Sequence, residues 1–335
     1  MSELNNVALK ILENGKGILA ADESTGTMTK RLESVNVKSN EENRLEFRSA
    51  LFSSKSMRNC IGGVILYDET IRQNYNEKSI PELISETGAV PGIKVDTGAK
   101  KLARSNDEKI TEGLDGLRER LKNYYDLGAR FTKWRAVYLI SEKYPSKLAI
   151  NVNAHALARY ASIVQEAGMV PIVEPEVLMD GNHSAQDCFN KTSEVVKKCF
   201  DELIFQKVDL KGILLKPNMI LPGSKSNQKI NSDEIAELTM KCLINSVPSE
   251  IPGIAFLSGG QSELEATKNL NTINKHNKSK FKMTFSYGRA LQQSALKHWS
   301  NNIDDAEGTQ KVFNHRANMC SLASMGKWTE EVDRA

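Results

Sequence analysis

The chain has 335 residues, long enough for two average domains or for one large α/β barrel. Its 45 Lys+Arg and 42 Asp+Glu leave a formal net charge of +3 with no Lys/Arg-rich block, which excludes a nucleic-acid footprint spread over the surface. With 40% hydrophobic and 26% charged residues it has an ordinary soluble composition, and no apolar stretch approaches the roughly 18 residues of a membrane span.

The opening Met1–Asn6 has neither a basic region nor an apolar core of the secretory kind, so the expected location is cytoplasmic, with no membrane partner. Five cysteines (Cys60, Cys188, Cys199, Cys242, Cys320) form no CxxC pair and read as reduced thiols. Five histidines (His155, His183, His276, His298, His315) lack ligand spacing, so no metal and no cofactor is expected.

In chain order, short apolar runs end repeatedly in polar residues: Gly17–Asp22, Gly62–Tyr67, Val90–Asp96, Ala129–Arg135, Val170–Glu176, Gly212–Lys216, Gly253–Ser258 and Met283–Gly288. Each reads as a buried strand. Between them, Arg44–Ser54 carries Leu45, Phe47, Leu51 and Phe52 on one stripe, and Ile110–Tyr125 does the same with Leu114, Leu117, Leu121 and Tyr125. Ala154–Gln165 is helical by propensity, Ser262–Glu265 is a capping box, and Ala290–Trp299 reads as a further helix. Gly223–Lys229 is a polar rim loop, and Asn269–Lys280 a helix end and turn.

Eight strand–helix units predict an α/β fold, a single (β/α)8 TIM barrel over residues 1–335, with a short C-terminal segment from about 318 to 335. An open doubly wound sheet is the alternative, but its GxGxxG fingerprint is missing.

A parallel barrel carries its active site at the C-terminal ends of the strands. Those ends hold Asp22, Lys94 and Asp96, Lys133 and Arg135, Glu174 and Glu176, Lys216, Ser258 and Arg289. Residues two apart on a strand face the same way, so each pair points two charges toward one face. Lys216 closes an apolar run and precedes Pro217. Lysines are rarely buried without a partner, and a desolvated amine near other cations is a carbonyl nucleophile. Ser258-Gly-Gly and Ser286-Tyr-Gly-Arg289 feed helix N-termini and suit a phosphate. Asp22–Thr27, followed by Lys30 and Arg31, offers hydroxyls and cations for a second one, with helix capping as the competing use of Ser24 or Thr25.

The motifs Gly17–Gly26, Phe131–Arg135, Val173–Glu176, Leu215–Asn218, Phe256–Gln261 and Phe285–Ala290, in register from about Asn5 to Lys327, resemble the class I (Schiff-base) fructose-bisphosphate aldolases. The resemblance implies Lys216 as the imine lysine, Glu174 as its acid/base, and Asp22 as acceptor of the C4 hydroxyl proton. Lys133 would support the charge network and help keep Lys216 neutral, and Glu176 would hold Lys133 and neighbouring groups in place. Ser258, Gly259, Gly260, Ser286, Gly288 and Arg289 would surround the C1 phosphate. Ser24, Thr27, Lys30, Arg31 and Lys94 would surround the C6 phosphate, with Arg135 a further substrate contact. It implies phosphorylated ketose and triose substrates and a homo-oligomer, a tetramer in animal members. One departure is visible: animal members end in a tyrosine that helps protonate the enamine, whereas the last tyrosine here is Tyr287. Enamine protonation would then fall to Glu174, a water or the substrate phosphate. Competing readings are another Schiff-base barrel and a non-catalytic polyanion-binding barrel.

Overall fold

The computed structural model describes residues Ser2–Arg334. Eight parallel strands form a closed barrel: β1 Gly17–Ala20, β2 Ile61–Leu66, β3 Val90–Lys94, β4 Phe131–Tyr138, β5 Val170–Val177, β6 Leu214–Leu215, β7 Gly253–Phe256 and β8 Lys282–Tyr287. Each pairs with its sequence neighbours, and β8 returns to β1 with Ile18 opposite Ser286. All eight predicted runs are therefore strands of one sheet. β6 is the shortest; Leu210–Gly212 winds into a 3-10 turn before it, and Pro217, which has no N–H to donate, lies just past its end. The Lys216 amide still donates to the Val173 carbonyl at 2.9 Å, so the β5–β6 pairing carries on through the lysine.

Strand alternation sorts the side chains into two cores. Leu19, Val64, Leu66, Ile93, Trp134 and Val173 belong to the large core shared with the helices. Ile18, Ile65, Val90, Phe131, Ile172 and Leu214 fill the barrel, where Ala8, Ile11 and Leu12 of the N-terminal segment join them. Helix α1, Glu3–Ile11, capped by Ser2, thus brings an apolar face against the barrel interior. A Cβ on Gly62 would sit 2.0 Å from the Ile11 carbonyl oxygen, so only glycine admits so close an approach.

Helix α2 covers Thr25–Glu33 and helix α3 Glu41–Phe52, the latter containing the predicted Leu45–Phe52 stripe. Lys147–Glu166 and Arg289–Asn301 are helices where propensity and periodicity place them. The Ser262/Glu265 capping box is present, with Ser262 Oγ accepting from the Glu265 amide at 3.2 Å.

Ile110–Tyr125 departs from expectation. Lys109–Glu112 pairs antiparallel with Gly98–Lys101 as a two-stranded ribbon, and the helix spans only Leu117–Asp126. Gly113 and Gly116, at φ +126° and +62°, break the apolar stripe into strand and helix. The ribbon is tied to the helix Lys147–Glu166 by Asn153, which donates to the Lys109 carbonyl, and by Ser146, which donates to Glu108. The last long helix, Ala306–Ser324, continues past position 318, so among the described residues Met325–Arg334 follow it, including the helix Glu330–Arg334. No helix among the described residues is long and apolar enough to cross a membrane.

Candidate active site

The C-terminal ends of the strands surround a cavity of about 460 Å³. Register places the charges at its floor. Lys94 of β3 lies opposite Lys133 of β4, and Arg135 of β4 opposite Glu174 of β5. Asp22 enters from just past β1, and Lys216 from just past β6. Lys216, Lys133 and Glu174 are 4%, 3% and 3% exposed, a burial that charged side chains tolerate only when paired.

Their pairing forms an alternating chain. Lys216 Nζ is 3.2 Å from Glu174 Oε1, Glu174 Oε2 is 3.5 Å from Lys133 Nζ, and Lys133 Nζ is 2.7 Å from Asp22 Oδ2. Burial alone would push the Asp22 carboxyl up. The Lys133 and Lys216 ammoniums outweigh it and hold that carboxyl well below the usual carboxylate range. Burial likewise pulls Lys133 down, but Asp22, Glu174 and Asp96 together lift it above an ordinary lysine. Asp22 and Lys133 therefore stay ionised, a fixed pair flanking the Lys216–Glu174 contact.

Glu176 does not hold Lys133 as expected. It pairs with Arg135, while Asp22 and Glu174 hold Lys133. Glu176 lies two residues beyond Glu174 along β5, so its carboxylate meets the next cation up the wall rather than the one at the floor. Burial lowers and Glu176 raises the Arg135 guanidinium, with the net effect upward. Lys94 is also engaged, donating to Asp96 Oδ1 at 2.6 Å and to the Asp96 carbonyl at 2.7 Å.

Ser258, Gly259, Ser286, Gly288 and Arg289 line one side of the cavity. The Ser286 hydroxyl is buried without a hydrogen-bond partner. The helix Arg289–Asn301 starts at Gly288 with no side-chain cap, leaving its first N–H groups available to an anion. Gly260, exposed and at φ +73°, forms the turn and is not among the lining residues. Ser24, Thr27, Arg31 and Lys94 line the cavity as well. Ser24 also caps α2, its Oγ accepting from the Thr27 amide at 3.4 Å, so the two uses of that hydroxyl coexist. Lys30 is exposed and outside the lining, because one helical step from Arg31 turns it about 100° away.

Sequence reasoning missed Glu23, Tyr67, Thr97 and the ribbon residues Gly98 and Ala99, which also line the cavity, as do the apolar Ala20, Val137 and Leu257. The glycines around the ribbon were the one available signal for Thr97, Gly98 and Ala99. Nothing in spacing pointed to Glu23, whose partners Arg31 and Arg48 lie on two different helices.

A cavity with a buried lysine touching a carboxylate, and with cation- and N–H-rich walls on both sides, suits a phosphorylated carbonyl compound. Comparisons with known proteins agree. The family model described as fructose-bisphosphate aldolase class-I matches residues 3–335. A probable class 1 fructose-bisphosphate aldolase of Xylella fastidiosa is 46% identical over 98% of this chain and 99% of its own length. Cytosolic fructose-bisphosphate aldolase 4 of Arabidopsis thaliana is 50% identical over 93% of this chain and 80% of its own. A solved structure of the Plasmodium falciparum aldolase, in complex with TRAP and a small-molecule inhibitor, superposes with a TM-score of 0.96 at 44% identity, covering 98% of this chain and 95% of that one. The chain belongs to the class I fructose-bisphosphate aldolase family.

Proposed function

We propose that the protein, acting as one catalytic barrel, reversibly cleaves fructose 1,6-bisphosphate to dihydroxyacetone phosphate and glyceraldehyde 3-phosphate through an imine on Lys216. The observation that carries this reading is the buried Lys216 Nζ, 3.2 Å from Glu174 Oε1. Glu174 takes a proton from the Lys216 ammonium, the freed amine attacks the ketose C2 carbonyl, and Glu174 returns that proton to the carbinolamine oxygen, which leaves as water to give the iminium. Asp22 removes the proton of the C4 hydroxyl, the C3–C4 bond breaks, and its electron pair flows into the iminium to give an enamine. Glyceraldehyde 3-phosphate leaves. Protonation of the enamine at C3 and addition of water then return the amine and dihydroxyacetone phosphate.

The acid nearest the nitrogen is Glu174, and in this reading it also supplies the C3 proton, regained as Lys133 hands it a proton and takes the one Asp22 removed from the C4 hydroxyl. Tyr287 is fully buried with its hydroxyl donating to the Ala266 carbonyl, which keeps it out of this step. Lys133 keeps Asp22 ionised, and Glu176 steers Arg135 toward the substrate. Ser258, Gly259, Ser286, Gly288 and Arg289 clamp one phosphate with Arg31 beside Gly288, Ser24, Thr27 and Lys94 serve the other end, and Gly260 and Lys30, outside the lining, act only through the turn and helix that carry them. Borohydride added with substrate tests the reading: it should inactivate the enzyme and add one triose or hexose phosphate mass at Lys216. Full activity with no adduct there would end it.

Exposed apolar Ile204 and Phe205, 55% and 79% accessible, support with the family resemblance a homo-oligomer, taken as a tetramer and measurable by light scattering. Cytosolic relatives support a cytosolic location.

A further inference from the structure

Two arginines reach the cavity in opposite states. Arg289 is exposed and has no ion-pair partner among the described residues. Arg31 is already engaged: its Nη1 lies 2.5 Å from Glu23 Oε1, on a side chain only 6% exposed. The pair abuts the Ser286–Arg289 turn, since a Cβ on Gly288 would stand 3.5 Å from Arg31 Nη2 and 3.7 Å from Glu23 Oε1. An incoming phosphate at that turn must therefore compete with a buried carboxylate. Releasing the carboxylate without another cation would strand its charge.

Behind the pair stands Arg48 of α3, 1% exposed. Its Nη1 donates to Thr70 Oγ1 at 2.8 Å and its Nη2 to the Glu23 carbonyl at 2.9 Å, fixing the backbone between Asp22 and α2. The same Nη2 is 3.7 Å from Glu23 Oε2, just beyond hydrogen-bond distance. Arg48 Nε and Glu23 Oε2 are both buried with no hydrogen-bond partner. Native interiors rarely leave two polar groups of opposite sign unsatisfied side by side. Gln292 Nε2 donates to the Ala20 carbonyl and sits 3.5 Å from Glu23 Oε1, a neutral neighbour that cannot replace a cation.

Building on the aldolase reading, we infer that Arg48 is a positioning residue that takes over Glu23 from Arg31 when a substrate phosphate binds. In the empty site Glu23 is the internal anion that keeps Arg31 from standing unpaired. When phosphate arrives, a shift of well under a side chain's length brings Glu23 Oε2 into hydrogen bonding with Arg48. Arg31 turns to the phosphate, and no buried charge is left alone. The exchange belongs to binding, so its signature is in KM and in phosphate affinity rather than in kcat.

A double-mutant cycle tests it, with inorganic phosphate as the binding probe and fructose 1,6-bisphosphate as substrate. Glu23→Gln removes the competing anion and should tighten inorganic phosphate severalfold. Arg48→Met leaves Arg31 as the one strong partner of Glu23 and should raise both KM and the phosphate dissociation constant about tenfold, with kcat within about twofold of wild type. Arg48→Lys should fall between. The double variant E23Q/R48M should return phosphate affinity to within about twofold of Glu23→Gln alone, because the carboxylate that needed the second cation is gone.

Weaker phosphate binding in Glu23→Gln, or a double variant as impaired as Arg48→Met, would overturn the exchange and make Arg48 a structural residue. A loss confined to kcat would overturn it as well. If Arg48→Met does not fold, the direction of the change in Glu23→Gln decides. Borohydride trapping on the wild type is run alongside: its failure removes the aldolase reading, while phosphate affinity reports on the exchange independently of turnover.

Discussion

The two ends of the barrel are built from the same strands and obey opposite rules. At the N-terminal end, Ile18, Val90, Phe131 and Leu214 meet Ala8 and Ile11 of α1 and the following Leu12 in an apolar plug. A few residues further along the same strands, the interior holds Lys216, Glu174, Lys133 and Asp22 in contact. Apolar packing tolerates modest changes of shape as long as volume is kept. A chain of buried charges tolerates the loss of no single member, because each removal strands its neighbour. One end thus supplies rigidity, and the other places reactive groups that stability alone would not select.

The sharpest way to break the contrast is Lys216→Met. Removing the imine nitrogen should lower kcat by about 10⁵-fold, and by leaving buried Glu174 with Lys133 alone it should also cost about 3 kcal/mol of stability. Steady-state turnover and borohydride labelling check it together. The mirror experiment at the other end is Gly62→Val, whose side chain would run into the Ile11 carbonyl. It should cost about 3 kcal/mol in urea unfolding and leave kcat per folded molecule unchanged.

Asp22→Asn sharpens the comparison through pH. The Asp22 carboxyl is depressed in the fold, so its stabilising contribution is complete above the unfolded carboxylate range near ~3.9 and fades as pH falls through the lower folded value. The stability gap between wild type and the variant should be widest at neutral pH and close in acid. A gap that does not change down to strongly acidic pH would show that the Lys133 pair is not its source.

Arg289→Ala should raise KM for the bisphosphate about tenfold with kcat within about threefold, the pattern expected of a phosphate contact. Smallest is Ser262→Ala, which removes a helix cap from the outer ring and should cost about 1 kcal/mol without altering KM.

Much of this was legible in the chain because strand ends carry the chemistry. Each apolar run had to end where the barrel opens, and five of the eight end in a charged residue: Asp22, Asp96, Arg135, Glu176 and Lys216. Of the groups Glu176 is expected to hold, the structure pairs it with the neighbouring Arg135 and not with Lys133, since stagger between parallel strands is not written in either strand alone. Lys30 and Arg31 are neighbours in sequence and point to different sides of a helix, a distinction that Met28 and Leu32 on the buried face of α2 could have supplied. The Glu23–Arg48 contact was out of reach. It joins a loop to a helix 25 positions away with no periodicity to announce it. The ribbon at Gly98–Glu112 was hidden by an accident of spacing, as its apolar residues continued the period of the helix behind it.

That ribbon has a consequence of its own. Its hydrogen-bond ladder closes upon itself, Gly98 with Glu112 and Lys101 with Lys109, and none of those four residues pairs with a barrel strand. It nevertheless contributes Gly98 and Ala99 to the rim above Lys94. A larger side chain at Ala99, at the base of the ribbon, should narrow the mouth of the cavity while leaving the reacting groups on the barrel strands where they are.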